Sequence, residues 1–414
     1  MRVVQRIWNR EFDWLAAGLG VTCLIGWLFK AHCGAGWSGW EQYTTGCYSD
    51  IVPFWGIRGV AAGQIPYFQA RMEYPVLTGG LIWIEGGITR ILFGATRANA
   101  AHFLGVATAV NALLALGVMW MFWRAGMPRD RLLRWCWAPP LLLYVGHNWD
   151  LLAIGFAVAA VLQTRAGHPV RGAALAGLGV AAKLFPILLL PMIGLGALFK
   201  PGASWRHRLV LATQATAAAV AAWVAVNLPV ALVAPENWSE FYRFSSERAG
   251  TSASVWELLA TVGGWAISIP ARNLYSLLLF VAGFAAIIAF GWRRHAAHPW
   301  VLFTPVLAWF LLTNKVYSPQ FDLWLYPLLI LTAPRIAPVL LFAAADMAAY
   351  FMEFWYFAGL EGAWPDAAPV HIALAATLRA AAIAWTIADA LRLPAPQWLV
   401  ETDPVPMAGP LSGA

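Results

Sequence analysis

The sequence predicts an all-α protein that crosses a membrane many times, and two features lead to this class. Of the 414 residues, 61% are hydrophobic and 11% are charged, whereas soluble domains carry about 25% charged residues. Apolar runs at 14–29, 103–123, 209–230 and 274–292 approach or exceed the roughly 20 residues that a helix needs to cross a bilayer. Because backbone groups in lipid must bond within their own segment, helices are the expected spans.

The whole chain, 1–414, is predicted to form one integral membrane domain. Its first apolar run ends in large residues and Lys30 without a small-x-small cleavage pattern, so we expect a retained helix rather than a signal peptide. The basic residues behind the net charge of +7 are scattered singly between apolar segments. This distribution indicates membrane topology, and no nucleic-acid partner is expected. The sequence has neither a glycine-rich phosphate loop nor zinc-type Cys/His spacing, so no cofactor and no metal are expected.

The positive-inside rule orients the chain in the cytoplasmic membrane. Basic residues before the first helix place the N-terminus in the cytoplasm, namely Arg2, Arg6 and Arg10. The long polar stretch 32–75 is then the first outer loop. A second outer loop is expected at 231–272, and the proline-rich tail 392–414 is expected in the cytoplasm.

Basic clusters recur along the middle of the chain, at 124–134, 165–171, 200–208 and 293–294. Two of the apolar stretches between them are interrupted halfway, at 146–150 and 183–186. If each of these stretches is a hairpin of two short spans, all the basic clusters are cytoplasmic and the interruptions lie outside. About 12 crossings follow, with a range of about 10 to 13. Short broken helices are tolerated only where they line protein or water, so we expect an outer cavity.

Segment 76–94 is apolar but carries Glu85 and Arg90. If it crossed inward, the following run 103–123 would leave the basic cluster 124–134 outside. We therefore expect a re-entrant or interfacial segment rather than a crossing helix.

The first outer loop contains a carboxylate with the character of a catalytic base. Asp50 lies between Tyr48 and the apolar run 51–55, a setting that raises the pKa of a carboxyl group and suits general-base work. A solvated loop carboxylate is the alternative. Cys33 and Cys47 lie in the same loop, on the side where disulfides persist, so a bridge between them is expected.

Cations near the interruptions are candidates for binding an anion. Lys183 and Lys315 are the first two, with snorkelling of Lys183 and an ion pair between Lys315 and Asp322 as the alternatives. Arg243 and Arg248 lie on the second outer loop, where an interfacial helix on the bilayer is the alternative interpretation.

Asp150 follows the polar sequence 147–149 and starts an apolar run. It is either a capping or first-turn residue of a helix, or a substrate contact, since ionisable groups at membrane depth are costly and by default functional.

Seven motifs, in order from position 47 to position 320, together resemble glycosyltransferase family 87, a family of polytopic actinobacterial enzymes in the glycosyltransferase C superfamily. The motifs are CYSD at 47–50, GQIPY at 63–67, EYPVLTG at 73–79, NWD at 148–150, AKLFP at 182–186, EFYRF at 240–244 and TNKVYSPQ at 313–320. The resemblance implies a GT-C-type helical bundle with a long first outer loop.

The same resemblance implies an activity. The donor would be a sugar, typically mannose, on a polyprenyl phosphate, and the acceptor a glycolipid or glycan outside the cytoplasmic membrane, with inversion at the anomeric carbon. Asp50 occupies the position of the family's base, and Lys183 or Lys315 would stabilise the leaving phosphate, with Arg243 as the next candidate. The motifs also imply substrate contacts, namely Tyr48, Glu73, Tyr74, His147, Asn148, Asp150, Asn314, Tyr317 and Gln320.

The chain departs from one branch of the family. The phosphatidylinositol-mannoside branch tends to carry a histidine pair after the Ser-Pro of the late motif, whereas this chain has Gln320-Phe321-Asp322 there. This difference argues against that acceptor, and His147 is a candidate auxiliary histidine by position only.

A transporter or flippase of lipid-linked sugar is the alternative function, because broken helices also occur in transporters. Transporters tend to show internal symmetry and ionisable groups near mid-membrane, whereas the polar motifs of this chain cluster at one face and no convincing repeat is present. A non-catalytic assembly subunit is a third hypothesis, and it predicts that every substitution in the outer motifs is tolerated.

Overall fold

The computed structural model describes residues 10–37 and 39–400 as an almost entirely helical protein. No β-strand occurs in these two ranges, and an isolated bridge joins Pro66 and Ala70. Two of the basic residues used for orientation, Arg2 and Arg6, and most of the predicted tail, 401–414, lie outside the described residues.

The first part of the chain, up to residue 198, forms ten α-helices and one 3-10 turn at Phe185–Leu189 that runs directly into α10. The helices are α1 (Arg10–Ala31), α2 (Glu41–Thr44), α3 (Ile51–Ile57), α4 (Val76–Phe93), α5 (Ala100–Arg124), α6 (Arg129–Cys136), α7 (Pro139–Tyr144), α8 (Asp150–Arg165), α9 (Pro169–Ala182) and α10 (Leu190–Leu198).

The second part contains nine α-helices, and 3-10 turns at Pro299–Leu302 and Pro319–Phe321 precede α15 and α16. The helices are α11 (Trp205–Val233), α12 (Pro235–Glu247), α13 (Val255–Thr261), α14 (Ile269–His295), α15 (Phe303–Thr313), α16 (Asp322–Thr332), α17 (Ala337–Leu360), α18 (Pro369–Arg392) and α19 (Gln397–Val400).

Seven of these helices are long and apolar enough to cross a membrane, namely α1, α4, α5, α11, α14, α17 and α18. This finding agrees with the all-α membrane class that the sequence predicts. Shorter apolar helices lie between them, at α9, at the 3-10 turn with α10, and at the 3-10 turn with α15.

Short polar and proline signals divide the apolar sequence into these elements. The side chains of Asn99 and Ser268 accept backbone N–H bonds at the starts of α5 and α14, as N-cap residues do. Pro139 and Pro169 occupy the first turns of α7 and α9, where the missing N–H costs nothing. The interruption predicted at 183–186 is present as a break between α9 and the 3-10 turn.

Helix contacts define two ends of the bundle. At one end the start of α1 meets the finish of α5, where the rings of Phe12 and Trp123 are 5.8 Å apart. The guanidinium of Arg165, at the finish of α8, donates to the carbonyl of Ala125 at the same end. We call this the Arg165 end. The finish of α1 and the start of α8 lie at the opposite end together with Asp50, which we call the Asp50 end.

Both ends of α4 lie at the Asp50 end. Its Thr78 hydroxyl donates to the carbonyl of Ala182, the last residue of α9, over 2.7 Å. Its last residue, Phe93, stacks on His102 in the first turn of α5 with ring centroids 4.0 Å apart. By length and composition α4 could cross a membrane, yet neither of its ends reaches the Arg165 end. This arrangement agrees with the interfacial segment expected at 76–94.

Candidate functional site

The loop between α1 and α3 carries Asp50 and is fixed at both of its sides. Cys33 and Cys47, the pair expected to bridge, form a disulfide in the structure. The Ser49 hydroxyl donates to the carbonyl of Gly146 over 2.7 Å, and the Asp50 N–H donates to the carbonyl of His147 over 2.9 Å. The loop therefore docks against the turn between α7 and α8, which contains the polar interruption predicted at 146–150.

The Asp50 carboxylate is held by two donors at the start of α3. The Tyr48 hydroxyl donates to Oδ1 over 2.9 Å, and the Asn148 amide donates to Oδ2 over 2.6 Å. The same Asn148 amide also donates to the Tyr74 hydroxyl over 2.8 Å. Burial raises the pKa of Asp50, and the two donors and the charge of Lys183 partly offset this shift. A partly buried carboxylate with a raised pKa is a suitable proton acceptor.

Asp150 and Lys183 form a buried ion pair beside this carboxylate. Lys183 Nζ lies 2.8 Å from Asp150 Oδ1, and the Trp324 indole donates to the same oxygen over 2.8 Å. Asp150 is the first residue of α8, but its side chain makes this pair instead of capping the helix. Lys183 also lies 4.9 Å above the Tyr74 ring. Because its charge is matched by Asp150, Lys183 offers an anion less net attraction than an unpaired cation would.

Arg248 and Lys315 provide unpaired positive charge. Within the described residues, neither forms an ion pair with a carboxylate, and Lys315 Nζ donates to the carbonyl of Ser246 over 2.8 Å. Burial lowers the pKa of Arg248, and the negative charge of Asp50 opposes that shift. Burial also lowers the pKa of Lys315, with the positive charges of Arg248 and Arg272 acting in the same direction. Arg248 and Lys315 repel each other, and the charge of Asp50 acts on Arg248. Two such cations together can bind a larger anion.

Arg248 was not among the site residues that the motifs implied. The sequence around it is equally consistent with an interfacial helix, and α12 ends one residue before it. Arg243, which the motifs did imply, pairs with Glu240 on α12 and is about half exposed, as is Arg71 on the same carboxylate. The charge of Asp50 therefore acts on Arg248, whereas Arg243 is matched by Glu240.

Glu73 and the late motif, 313–320, do not contact the Asp50 carboxylate directly in the hydrogen bonds described above. Glu73 pairs with Arg58, the residue that follows α3. Asn314 is partly buried and Gln320 is buried, both in the segment that joins α15 and α16. The Trp324 indole, on α16 just after the late motif, donates to Asp150, so the late motif lies at the Asp50 end.

Tyr317 belongs to a buried ionic network on α16 and α18. Its hydroxyl donates to Asp322, whose other oxygen accepts from Arg379 over 2.9 Å. The Arg379 guanidinium lies 3.7 Å above the Tyr317 ring. The ion pair between Lys315 and Asp322 that the sequence left open as an alternative is therefore absent, because Asp322 is paired with Arg379.

His147 is a buried neutral histidine beneath the Asp50 loop. Its ring packs against Tyr48 and Tyr144, with centroids 5.6 Å and 5.7 Å apart. Burial lowers the pKa of His147, and the charges of Lys30 and Lys183 lower it further. Its Nδ1 is buried without a hydrogen-bond partner. His147 therefore supports the Asp50 loop through its backbone and ring, and Asp50 is the better placed proton acceptor.

Within the described residues, one group of histidine, cysteine and acidic side chains has the spacing of a metal site. It consists of His32, Cys33 and Cys47. The two sulfur atoms are joined in the disulfide and are not available as thiolate ligands. The group therefore does not fit a bound metal.

A comparison with protein-family models finds no match, and a comparison with curated protein sequences finds no significant match. The function of the site is therefore argued from its geometry and from the motifs of the sequence.

Proposed function

We propose that the protein is an inverting glycosyltransferase that moves a sugar, typically mannose, from a polyprenyl phosphate to a hydroxyl group of a glycolipid or glycan. The observation that carries this proposal is a carboxylate, Asp50, whose charge acts on Arg248, together with a second unmatched cation, Lys315, that interacts with Arg248. A carboxylate with a raised pKa can accept the proton of a hydroxyl. Arg248 and Lys315 can stabilise the phosphate that leaves.

The reaction would be a single displacement at the anomeric carbon. The acceptor oxygen forms the new bond to that carbon while its proton passes to Asp50. The bond between the anomeric carbon and the phosphate oxygen breaks, and its electron pair stays on the polyprenyl phosphate. One displacement inverts the configuration, and the added negative charge on the phosphate falls beside the unpaired cations.

Lys183 is not proposed as a phosphate ligand, because its charge is already neutralised by a carboxylate. Asp150 neutralises Lys183 over 2.8 Å, so the pair would orient a sugar hydroxyl or the Tyr74 ring rather than bind a phosphate. Arg248 and Lys315 lie on two different segments, after α12 and after α15, and their shared repulsion is relieved when a phosphate binds.

The Asp50 end is proposed to face the outside of the cytoplasmic membrane. The alternation of helix ends supports about 12 passages between the two ends, with α6 and α7 together making one and α4 making none. The helix finishes at the Arg165 end carry basic residues, including Arg124, Arg165 and Arg294, as the positive-inside rule expects of the cytoplasmic side.

The exposed apolar helices support a lipid-linked donor. In the most apolar windows of α11 and α14, 17% and 11% of the residues are buried inside the protein, so much of the surface of both helices is open to lipid in the proposed membrane. Arg248 follows α12, which begins directly after α11. The Asn273 amide of α14 donates to the carbonyl of Ser246, which also accepts from Lys315. A phosphate at the two cations could therefore keep its polyprenyl chain in the bilayer.

The proposal is tested by transfer in a reconstituted system. Purified protein in vesicles that contain polyprenyl-phosphomannose and a mixture of acceptor lipids should form a new mannosidic bond, detected by mass spectrometry. A lipid-linked sugar that reaches the other leaflet without any new glycosidic bond would favour the transporter instead. Absence of both products with every acceptor would contradict both functions.

A further inference from the structure

Lys30 is a completely buried cation at the finish of α1, with 0% of its surface exposed. Its Nζ donates to the carbonyl of Gly46 over 3.0 Å and to the carbonyl of Tyr48 over 2.8 Å. Its third contact is the hydroxyl of Tyr350 on α17. The two carbonyls flank Cys47 and lie two and four residues before Asp50, so one side chain connects α1, α17 and the Asp50 loop.

The hydrogen-bond directions favour the charged form of Lys30. The Tyr350 hydroxyl gives its own proton to the carbonyl of Gly46, so its oxygen must accept from Lys30. The two carbonyls can only accept. Nζ therefore donates in all three contacts, and three donated hydrogen bonds fit an ammonium group rather than a neutral amine.

The buried ammonium has no paired carboxylate within the described residues. Asp50 is the acidic residue whose charge acts on it. A buried cation without an ion pair is costly and is retained where it performs a task. The other charged or titratable groups that face Asp50 come from the loops around it, from the start of α8 and from α17, namely Tyr48, Tyr74, His147, Asp150, Lys183, Arg248 and Tyr350.

We propose that Lys30 is a positioning residue: a buried ammonium that fixes both sides of Cys47 and keeps a positive charge beside the Asp50 carboxylate. It does not touch substrate, because it is enclosed by Tyr350 and the loop backbone. The inference rests on the proposed function in one respect, since Asp50 is taken as the proton acceptor. It adds a residue that none of the seven motifs contains.

The test measures the titration of Asp50 directly and needs no transfer activity. Infrared spectra of the purified full-length protein are recorded across pH, and the carboxyl band lost in Asp50→Asn identifies the Asp50 signal. Lys30→Met removes the positive charge, so the proton affinity of Asp50 should rise about tenfold. Lys30→Arg keeps the charge, so its proton affinity should stay within about threefold of the wild type. An unchanged Asp50 titration in a folded Lys30→Met protein would overturn the proposal.

A second measurement covers the case in which Lys30→Met does not fold. The single variant Lys30→Met leaves the Asp50 carboxylate buried without the charge of Lys30. If the two charges balance each other, the double variant Lys30→Met/Asp50→Asn removes both and should recover monodisperse protein. A double variant that is no more stable than Lys30→Met would overturn the coupling. The failure of wild-type protein to transfer sugar would contradict the proposed function while leaving both of these measurements intact.

Discussion

At the scale of residues, the site is defined by charges that are left unmatched. Asp150 and Lys183 neutralise each other, and so do Asp322 and Arg379. Asp50 has hydrogen-bond donors but no ion pair within the described residues. Asp50 can therefore gain or lose a proton during a reaction, while each of the two neighbouring ion pairs stays neutral.

The pH dependence of transfer should follow the ionisation of Asp50. A base must be deprotonated, so the rate rises as the pH increases through the pKa of Asp50, which burial raises above the ordinary value of 3.8. Tyr48→Phe removes a donor that stabilises the carboxylate, so the acidic limb of kcat/KM should move upward by about one pH unit.

Tyr242→Phe on α12 is the matched control for that variant. Tyr242 is 37% exposed and packs against Trp238 and Phe241, so its loss of a hydroxyl should leave the limb in place. The assignment of Asp50 fails if Tyr48→Phe and Tyr242→Phe give the same pH profile as the wild type.

Substitution of Arg248 or Lys315 should lower kcat/KM for the donor more than substitution of the exposed Arg243 does. Arg248→Gln and Lys315→Gln each remove a charge that would stabilise the leaving phosphate, and we expect kcat/KM for the donor to fall by about 100-fold. Arg243→Gln removes a charge that Glu240 already matches on the surface, and its effect should stay within about threefold. Equal losses in Arg248→Gln and Arg243→Gln would contradict the placement of the phosphate.

Much of the site could be predicted from local sequence, and some of it could not. An acidic residue among aromatic and apolar residues indicates a raised pKa, and the interruptions of the apolar runs identified Asn148, Asp150 and Lys183. Arg248 gave no distinct signal, because its neighbours on α12 fit an interfacial helix equally well. The pairing of Asp322 with Arg379 joins α16 to α18, and no sequence pattern specifies such a distant partner.

At the scale of elements, α4 shows why apolarity alone does not make a crossing helix. Both of its ends lie at the Asp50 end, and its Glu85 accepts a hydrogen bond from the Trp149 indole over 2.7 Å. The charges of the flanking loops predict that this segment does not cross, because a crossing there would move a whole basic cluster to the wrong side. Hydropathy by itself counts α4 as a span.

Cysteine labelling tests the position of α4. Ala62, Thr96 and Ala166 are exposed in loops, the first two at the Asp50 end and the third next to Arg165. In intact cells, an impermeant maleimide should label Ala62→Cys and Thr96→Cys but not Ala166→Cys, which should react only after lysis. The native thiols of Cys23 and Cys136 are buried and should stay silent. If Thr96→Cys, like Ala166→Cys, reacts only after lysis, α4 crosses the membrane.

At the scale of the whole molecule, six segments of the described chain meet at the Asp50 end: the loops after α1, α3, α7, α9, α12 and α15. Each connects helices that are fixed by apolar packing along their length, so a rigid scaffold supports the hydrogen bonds and ion pairs that the polar groups make with each other. The helix boundaries and their alternation follow from hydropathy and prolines. The side-chain contacts between the loops depend on packing that no single segment encodes.

The disulfide gives a test of compartment. The chain has four cysteines, and Cys33 and Cys47 are bonded to each other. Protein purified without reductant and then denatured should therefore show two reactive thiols, and four after reduction. The bridge closes the Asp50 loop and should stabilise it by about 3 kcal/mol. Four thiols without reduction would place the loop in a reducing compartment and contradict the outer location.

The central claim, that Asp50 accepts the proton of the acceptor hydroxyl, is tested most directly by a single-turnover measurement. Asp50→Asn keeps the shape of the side chain and can keep its contacts with Tyr48 and Asn148, but it cannot take up the proton. With the donor preloaded, the rate of bond formation should fall by at least about 100-fold, while donor binding stays close to wild type. Asp366→Asn, an exposed acid between α17 and α18, should transfer normally. Wild-type turnover by a folded Asp50→Asn protein would contradict the account.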